Sequence, residues 1–391
     1  MTLIAEDYTL GIAKMTKSQM WQSALSLFHS MPVANVKANV FSYNISISSC
    51  EKGMQWQQAL KLFAVMLMRD LQADVVSYNT VLTSCQKGMQ LQLALDLFAV
   101  MTEVSIQPSV VSYNAIITCM QWQGALNFFE AFSNLDVNIQ PDIVSYSSTI
   151  SACEKAAQWH QALKLFLTMP SSIVQHSVIS YNAAISSCEK GGQWEQALTL
   201  FFDMDELSIE RDVVSCNAAI SSCEKSRTQW QLALSLFVAM PNWTIQPSVI
   251  SYNAVISACE LQWQQALSLF EAMLRSTIKP SISSYNAVIS SCEKGIQWHH
   301  ALALFAAMPS AKIQPSVITL NAVMTACEKS TRWQQALDLF HCVQRKIQVD
   351  VDSCSSAINC CEQGMQWQLV SRLLGSMAHL AMLSKLWHIV L

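Results

Sequence analysis

The chain has 391 residues and a formal net charge of −4, with 13% charged residues against 52% hydrophobic ones. No uninterrupted apolar run reaches the roughly 18 residues that a membrane span requires. The slight acidity excludes a protein that holds nucleic acid by bulk positive charge, so any such attraction has to be local.

Length alone would suggest about two or three globular domains, but a repeat overrides that prior. An apolar residue opening a version of Val-x-Ser-Tyr-Asn recurs at Val40, Val75, Val110, Ile143, Val178, Val213, Val249, Ile282, Val317 and Val351, at intervals of 33 to 36 residues. A worn copy starts at Ala5, because Tyr8 and Trp21 keep the spacing of Tyr43 and Trp56. The eleven units predict one elongated tandem array over residues 1–391, in place of separate globular bodies.

Each unit predicts two helices. In the unit at Val178, Tyr181, Ile185 and Cys188 fall on one face of a first helix, and Ser180 is placed to cap its start. Gly191 and Gly192 break that helix, and a second follows with Trp194, Ala197, Leu198, Phe201 and Met204 on its apolar face. Pro108, Pro141, Pro247, Pro280 and Pro315 mark loops between units, since proline cannot continue a helix. The final stretch, residues 378–391, reads as a capping helix over the last repeat.

Ten cysteines, Cys50, Cys85, Cys119, Cys153, Cys188, Cys223, Cys259, Cys292, Cys327 and Cys361, hold one first-helix position. Their separation by a whole repeat gives no metal-ligand spacing, and they read as small core residues in a reducing compartment. The tryptophan that opens nearly every second helix likewise reads as core. No phosphate-binding glycine loop, zinc-protease HExxH or nucleophile elbow occurs. The expectation is a protein that is not an enzyme, has no cofactor or metal, and takes neither a membrane nor a small-molecule substrate.

The pattern VxSYNxxISxCEKxxQWxxALxLFxxM, with its length of about 35, its terminal Met and its Pro-Asp or Pro-Ser loop, closely resembles the pentatricopeptide repeat over nearly the whole chain. The resemblance implies an all-α fold, a right-handed α-solenoid superhelix of stacked helix-turn-helix repeats. It also implies single-stranded RNA as partner, with RNA-processing proteins as further partners, in a mitochondrion or chloroplast. No Arg- and Ser-rich transit peptide opens the sequence, which otherwise points to the cytoplasm.

In that family one repeat reads one base through the fifth residue of the unit and its last residue. The fifth positions here are Thr9, Asn44, Asn79, Asn114, Ser147, Asn182, Asn217, Asn253, Asn286, Asn321 and Ser355. The last positions are Asn39, Asp74, Ser109, Asp142, Ser177, Asp212, Ser248, Ser281, Ser316 and Asp350. Asp or Ser before a helix is also an ordinary cap; capping alone leaves the fixed Asn unexplained. An Asp carboxylate accepts the N3–H of uracil and repels the bare N3 of cytosine, whereas a Ser hydroxyl serves either base. The family's code agrees, and gives 5′-A-U-Y-U-N-U-Y-Y-Y-U-3′, where Y is C or U and N, from Ser147 with Ser177, is unassigned.

The second residue of each unit, which packs on the base in the family, is β-branched at Val76, Val111, Val144, Ile179, Val214, Ile250 and Ile318. Phe41 is a tolerable variant, and Ser283 and Asp352 depart from the pattern. Lys17, Lys52, Lys87, Lys155, Lys190, Lys225, Lys294 and Lys329 share one register. They are candidates for phosphate contact, although a Glu usually precedes each and an ordinary solvated face is an equal reading. The unit at Val110 has lost residues after its cysteine, and the unit at Val249 has lost its Lys, which predicts weak reading near the third to fifth bases. The rival function is a protein-interaction scaffold whose polar positions merely cap helices.

Overall fold

The computed structural model describes residues 2–134, 139–169, 176–226, 229–343 and 351–366. They hold 21 α-helices, one short 3-10 helix at Met240–Trp243 and no strand. The predicted capping helix at 378–391 and Asp350 lie outside the described residues.

The chain forms two compact bodies, Met1–Gly191 and Gly192–Leu391. The first contains α1 (Thr2–Lys17), α2 (Trp21–Ser30), α3 (Val40–Lys52), α4 (Trp56–Met68), α5 (Val75–Lys87), α6 (Leu91–Glu103), α7 (Val110–Cys119), α8 (Trp122–Ser133), α9 (Ile143–Lys155), α10 (Trp159–Thr168) and α11 (Val178–Lys190). The second contains α12 (Trp194–Glu206), α13 (Val213–Ser226), α14 (Trp230–Ala239), α15 (Val249–Ala258), α16 (Trp263–Arg275), α17 (Ile282–Lys294), α18 (Trp298–Ala307), α19 (Val317–Lys329), α20 (Trp333–Val343) and α21 (Val351–Gln363).

Both bodies are stacked helical hairpins, the architecture of an α-solenoid. A first helix such as α3 packs against α4 of its own repeat and α5 of the next, and α4 packs onto α5. The same pattern runs through α15, α16 and α17 of the second body. No repeat buries its apolar face alone, so stability is shared between neighbours.

The glue between repeats is aromatic. The Phe of a second helix meets the Tyr of the next first helix edge to face: Phe28 with Tyr43, Phe63 with Tyr78, Phe129 with Tyr146 and Phe270 with Tyr285, at 4.9, 5.1, 4.8 and 4.9 Å. Such a pair contributes about 0.5–1.5 kcal/mol beyond the area it buries. In the second body Cys216 stands where that Tyr belongs. Arg211 occupies the gap, its guanidinium 4.3 Å from the Phe201 ring centre and 4.7 Å from that of Trp243. It donates to the Phe201 carbonyl at 3.2 Å and pairs with Asp205, which satisfies a cation whose side chain is 4% exposed.

Tryptophan departs from the core reading: Trp21, Trp56, Trp122, Trp159, Trp263 and Trp333 are half-buried. All of these but Trp122 lie on a glycine of the next repeat. A Cβ on Gly53, Gly88, Gly191, Gly295 or Gly364 would meet Trp21, Trp56, Trp159, Trp263 or Trp333 at 2.3 to 2.7 Å. The left-handed residue of the turn is the next one, as at Met54 (φ 55°) and Gly192 (φ 72°). Glycine at the first of these positions thus serves to admit the indole.

The ten register cysteines are buried as the spacing predicts, and burial pushes the thiols of Cys50, Cys85, Cys188 and Cys292 up to about 11. Thiolate reagents should therefore label exposed Cys342 first among the described thiols of the folded protein, which mass-mapped alkylation at neutral pH would check. Gly88→Ala should lower stability by about 1–3 kcal/mol through overpacking against Trp56. Gly124→Ala, inside α8 with no neighbour nearer than 3.6 Å, should be neutral or stabilising by up to about 1 kcal/mol; thermal unfolding of the two variants separates these effects.

Candidate nucleic-acid interface

The last residue of a unit is the N-cap of the next first helix. Asn39, Asp74, Ser109, Asp142, Ser177, Ser248, Ser281 and Ser316 all hold extended backbone there, each in a reciprocal capping box with the Ser or Thr three residues on. Ser180 is that second partner: Ser177 caps α11, and Ser180 returns its hydroxyl to the cap backbone, a correction to the sequence reading. Asp212 accepts from the Ser215 amide at 2.8 Å in the same way.

The fixed Asn has a structural reason that the sequence did not disclose. Asn44 donates through Nδ2 to Asp74 Oδ1 at 3.3 Å, Asn114 to Asp142 Oδ1 at 3.1 Å, and Asn79 to Ser109 Oγ at 2.9 Å. In the second body Asn286 accepts from Thr319 at 2.6 Å, and Asn321 accepts from Ser353. In the first body the two residues expected to read one base are therefore joined in three pairs, whereas Asn286 and Asn321 bond to residues three positions after the expected partner. Thr9 turns its hydroxyl back to Glu6 O at 2.8 Å, and Ser147 has a buried hydroxyl without a partner.

At Asp74 and Asp142 every bond converges on a single oxygen. Asp74 Oδ1 takes the Ser77 amide at 2.8 Å, the Ser77 hydroxyl at 2.7 Å and Asn44; Asp142 Oδ1 does the same with Ser145 and Asn114. Among the described residues nothing bonds Oδ2 of either. Burial works to raise the Asp74 pKa, but hydrogen bonds from the Ser77 side chain and amide and from Asn44 outweigh it and hold the carboxyl below its usual range. Asp74 is thus an anionic acceptor, oriented by one oxygen and open at the other. The carbonyl oxygens of Asn44, Asn114, Asn217 and Asn253 are buried without partners.

The second-position row is exposed: Val76, Val111, Val144 and Ile179 by 51 to 68%, and Val214, Ile250 and Ile318 by 54 to 70%. Such β-branched residues over half-buried polar pairs form apolar shelves with hydrogen-bonding edges. One shelf is a cavity of about 470 Å³ lined by Phe41, Asn44, Asp74 and Val76 among others.

The lysine register is largely occupied. Lys87 pairs with Glu51, Lys190 with Glu154, Lys294 with Glu260 and Lys329 with Glu293, each reaching the preceding repeat. Lys52 donates to Thr16 O at 3.4 Å. The geometry favours the solvated-face reading for those four pairs, which are worth about 0–1 kcal/mol each. Lys225 also has a partner. Among the described residues no three His, Cys, Asp or Glu side chains could hold a metal, and no helix is long and apolar enough to cross a membrane.

A family model described as "Pentatricopeptide repeat domain" matches residues 61–121, 134–190 and 268–330. Models described as "PPR repeat family" and "PPR repeat" match 211–260, and 179–209 with 318–346. No curated protein matches the chain. Among solved structures it is similar to the pentatricopeptide repeat protein PPR10 from maize, at 20% identity over 91% of this chain and 51% of that one, with a TM-score of 0.53. It also matches PPR10 in complex with an 18-nt psaJ RNA element at 19% identity, 94% and 53% coverage and a TM-score of 0.45. Yeast Rmd9p in complex with a 16-nt target RNA matches at 11% identity, 94% and 87% coverage and a TM-score of 0.42. The first likeness shows a shared fold; the chain spans about half the length of PPR10.

Asp74→Ala should cost about 1 kcal/mol of stability through the lost cap, and Asp74→Ser only a small part of that. Because the Asp74 pKa is lowered on folding, its contribution is present above the usual Asp range and is lost as pH falls through the lowered value. The wild-type advantage over Asp74→Ala in urea unfolding should accordingly shrink below about pH 4.

Proposed function

The chain belongs to the pentatricopeptide repeat family, and from that premise we propose that it binds single-stranded RNA sequence-selectively, one base per repeat, without chemistry of its own. The observation that carries this is the oriented Asp74 and Asp142, each with one oxygen tied down, one open, and an exposed apolar residue beside it. A base resting on Val76 or Val144 would bring its Watson–Crick edge to that open oxygen. A carboxylate there favours the N3–H of uracil, and a Ser cap tolerates either pyrimidine.

The target is pyrimidine-rich, 5′-AUYUNUYYYU-3′ in the N-to-C direction. At about 1–3 kcal/mol for each well-recognised base, seven good repeats support tight binding after ordering costs. Occupancy alone then protects RNA from nucleases, opens its structure or guides a processing, splicing or translation partner. The family resemblance supports an organellar setting for this role.

A second reading has its own observation. The Asn-to-cap bonds stabilise neighbouring repeats whether or not RNA is present, so the polar row could belong to a protein-binding scaffold. Fluorescence anisotropy separates the two readings. Labelled AUCUUUCCCU should bind more tightly than a purine-rich RNA or the equivalent DNA. The double variant Asp74→Ser with Asp142→Ser, which keeps both caps, should gain affinity for cytosine at the second and fourth bases by several-fold. Equal or absent binding throughout, by protein that circular dichroism shows to be helical, would favour the scaffold.

A further inference from the structure

A regular repeat has two tight turns, one inside the hairpin and one leading to the next repeat, and each needs a residue in the left-handed region. In the turns between repeats the first body fills that position with Asn35 (φ 60°), Asp70 (φ 53°) and Ser105 (φ 62°), short polar residues suited to a solvated turn. Inside the second and third hairpins the same position holds Met54 (φ 55°) and Met89 (φ 52°). Left-handed backbone disfavours a long side chain, and burial does not compensate it here: Met54 is 73% exposed and Met89 61%. The fold does not call for methionine either, since the same turn is built at Ala157 (φ 54°) and Gly192 (φ 72°). In the first hairpin the order is exchanged: Gln19 (φ 59°) takes the left-handed position, and Met20, 51% exposed, follows it.

Indoles link these methionines. Trp21, next to Met20, lies on Gly53, next to Met54; Trp56 lies on Gly88, next to Met89. The five side chains form one apolar ridge along the edge where first helices end and second helices begin. It stops at the shortened hairpin, where Met120 has ordinary extended backbone (φ −82°). The ridge is separate from the base-reading row, because Asn44 precedes the end of α3 at Lys52 by eight residues, about 12 Å of helix. A continuous exposed apolar strip of this kind marks an interaction surface.

Charge on the edge selects the partner. The last turns of α1, α3 and α5 hold Lys14, Lys17, Lys52 and Lys87, and the first turns of α2, α4 and α6 hold no acid. Glu51 is the one carboxylate among these turns, and it pairs with Lys87. Four lysines against one glutamate leave the edge positive in a chain whose net charge is −4. Spacing points the same way. Consecutive first helices pack directly on each other, which sets the steps of the ridge at about 8–10 Å. A helix laid along it covers each step in about six or seven residues, so side chains seven apart, on one face, meet successive methionines. The flexible thioether adapts to such side chains.

We propose that this ridge docks a partner protein, which lays an acidic amphipathic helix across the first three hairpins. Its apolar residues rest on Met20, Met54 and Met89, and its carboxylates lie toward Lys14 and Lys17. The inference does not rest on the RNA reading; because the two surfaces are separate, partner and RNA can be held together.

The test is fluorescence anisotropy of the full chain with a labelled peptide of about 20 residues, with Leu on a heptad face and Glu on its flanks. Controls replace its Glu by Lys, or its Leu by Ser. Wild type should bind the Glu peptide and neither control. The double variant Met54→Asn with Met89→Asn should melt no lower than wild type, since Asn suits the left-handed turn, yet lose at least tenfold in peptide affinity and keep its affinity for AUCUUUCCCU. Lys17→Glu should weaken the peptide several-fold, and Leu167→Ser, at an exposed apolar residue of α10, should change nothing. Failure of wild type to bind the Glu peptide, equal binding of the Glu and Lys peptides, or full binding by the double variant overturns the proposal. So does loss of RNA affinity alone in the double variant, which would assign the edge to RNA, or a wild-type dimer in sedimentation that the double variant abolishes, which would assign it to a second copy. Absent RNA binding overturns the RNA reading and leaves this test intact, because the peptide arms decide it.

Discussion

The structure depends on what happens at the first residue of each hairpin. A helix start leaves amide groups unsatisfied, and here the closing residue of one repeat supplies the acceptor for the next. The same side chain receives the Asn of the preceding repeat. Local helix capping and repeat-to-repeat registration are thereby one hydrogen-bond network, and Asp74 and Asp142 each keep an oxygen outside it. A scaffold requirement thus aims the polar groups: the acceptor is fixed before any ligand arrives, and fixing it costs a bound ligand no side-chain ordering.

Around this network, packing sets the pitch. Phe and Tyr rings cross between repeats, tryptophan lies on glycine, and cysteine fills a space that a larger residue would overfill. Where one element changes, its neighbour changes with it. Loss of the Tyr at Cys216 brings Arg211 onto Phe201. Loss of residues after Cys119 coincides with Ala156 in place of glycine and with a large cavity beside it. Irregular repeats are therefore positions where the surface differs in shape and charge.

Much of this was legible in the sequence because the signals are periodic. The anchors at Val40, Val75, Val178 and Val317 are the first residues of their helices, and the buried faces at Tyr181, Ile185 and Cys188 follow the helical period. What escaped were contacts between repeats, which linear spacing does not encode. Ser180 reads as the cap because it is polar and near the helix start, yet Ser177 is the residue with extended backbone. Tryptophan reads as core because it is apolar, whereas at five positions its contact is a glycine over thirty residues on. The Glu-Lys pairing was equally hidden: each pair spans 34 or 36 residues, so the adjacent Glu and Lys of one repeat are not each other's partners.

The central claim is that the cap residues choose bases. Selection of bound RNAs from a random single-stranded pool, followed by sequencing, tests it most directly. The account predicts enrichment of a pyrimidine-rich motif with uracil at the second and fourth positions, shifting to cytosine when Asp74 and Asp142 are both changed to Ser. A folded protein that enriches no motif, or whose motif ignores those two substitutions, would contradict it.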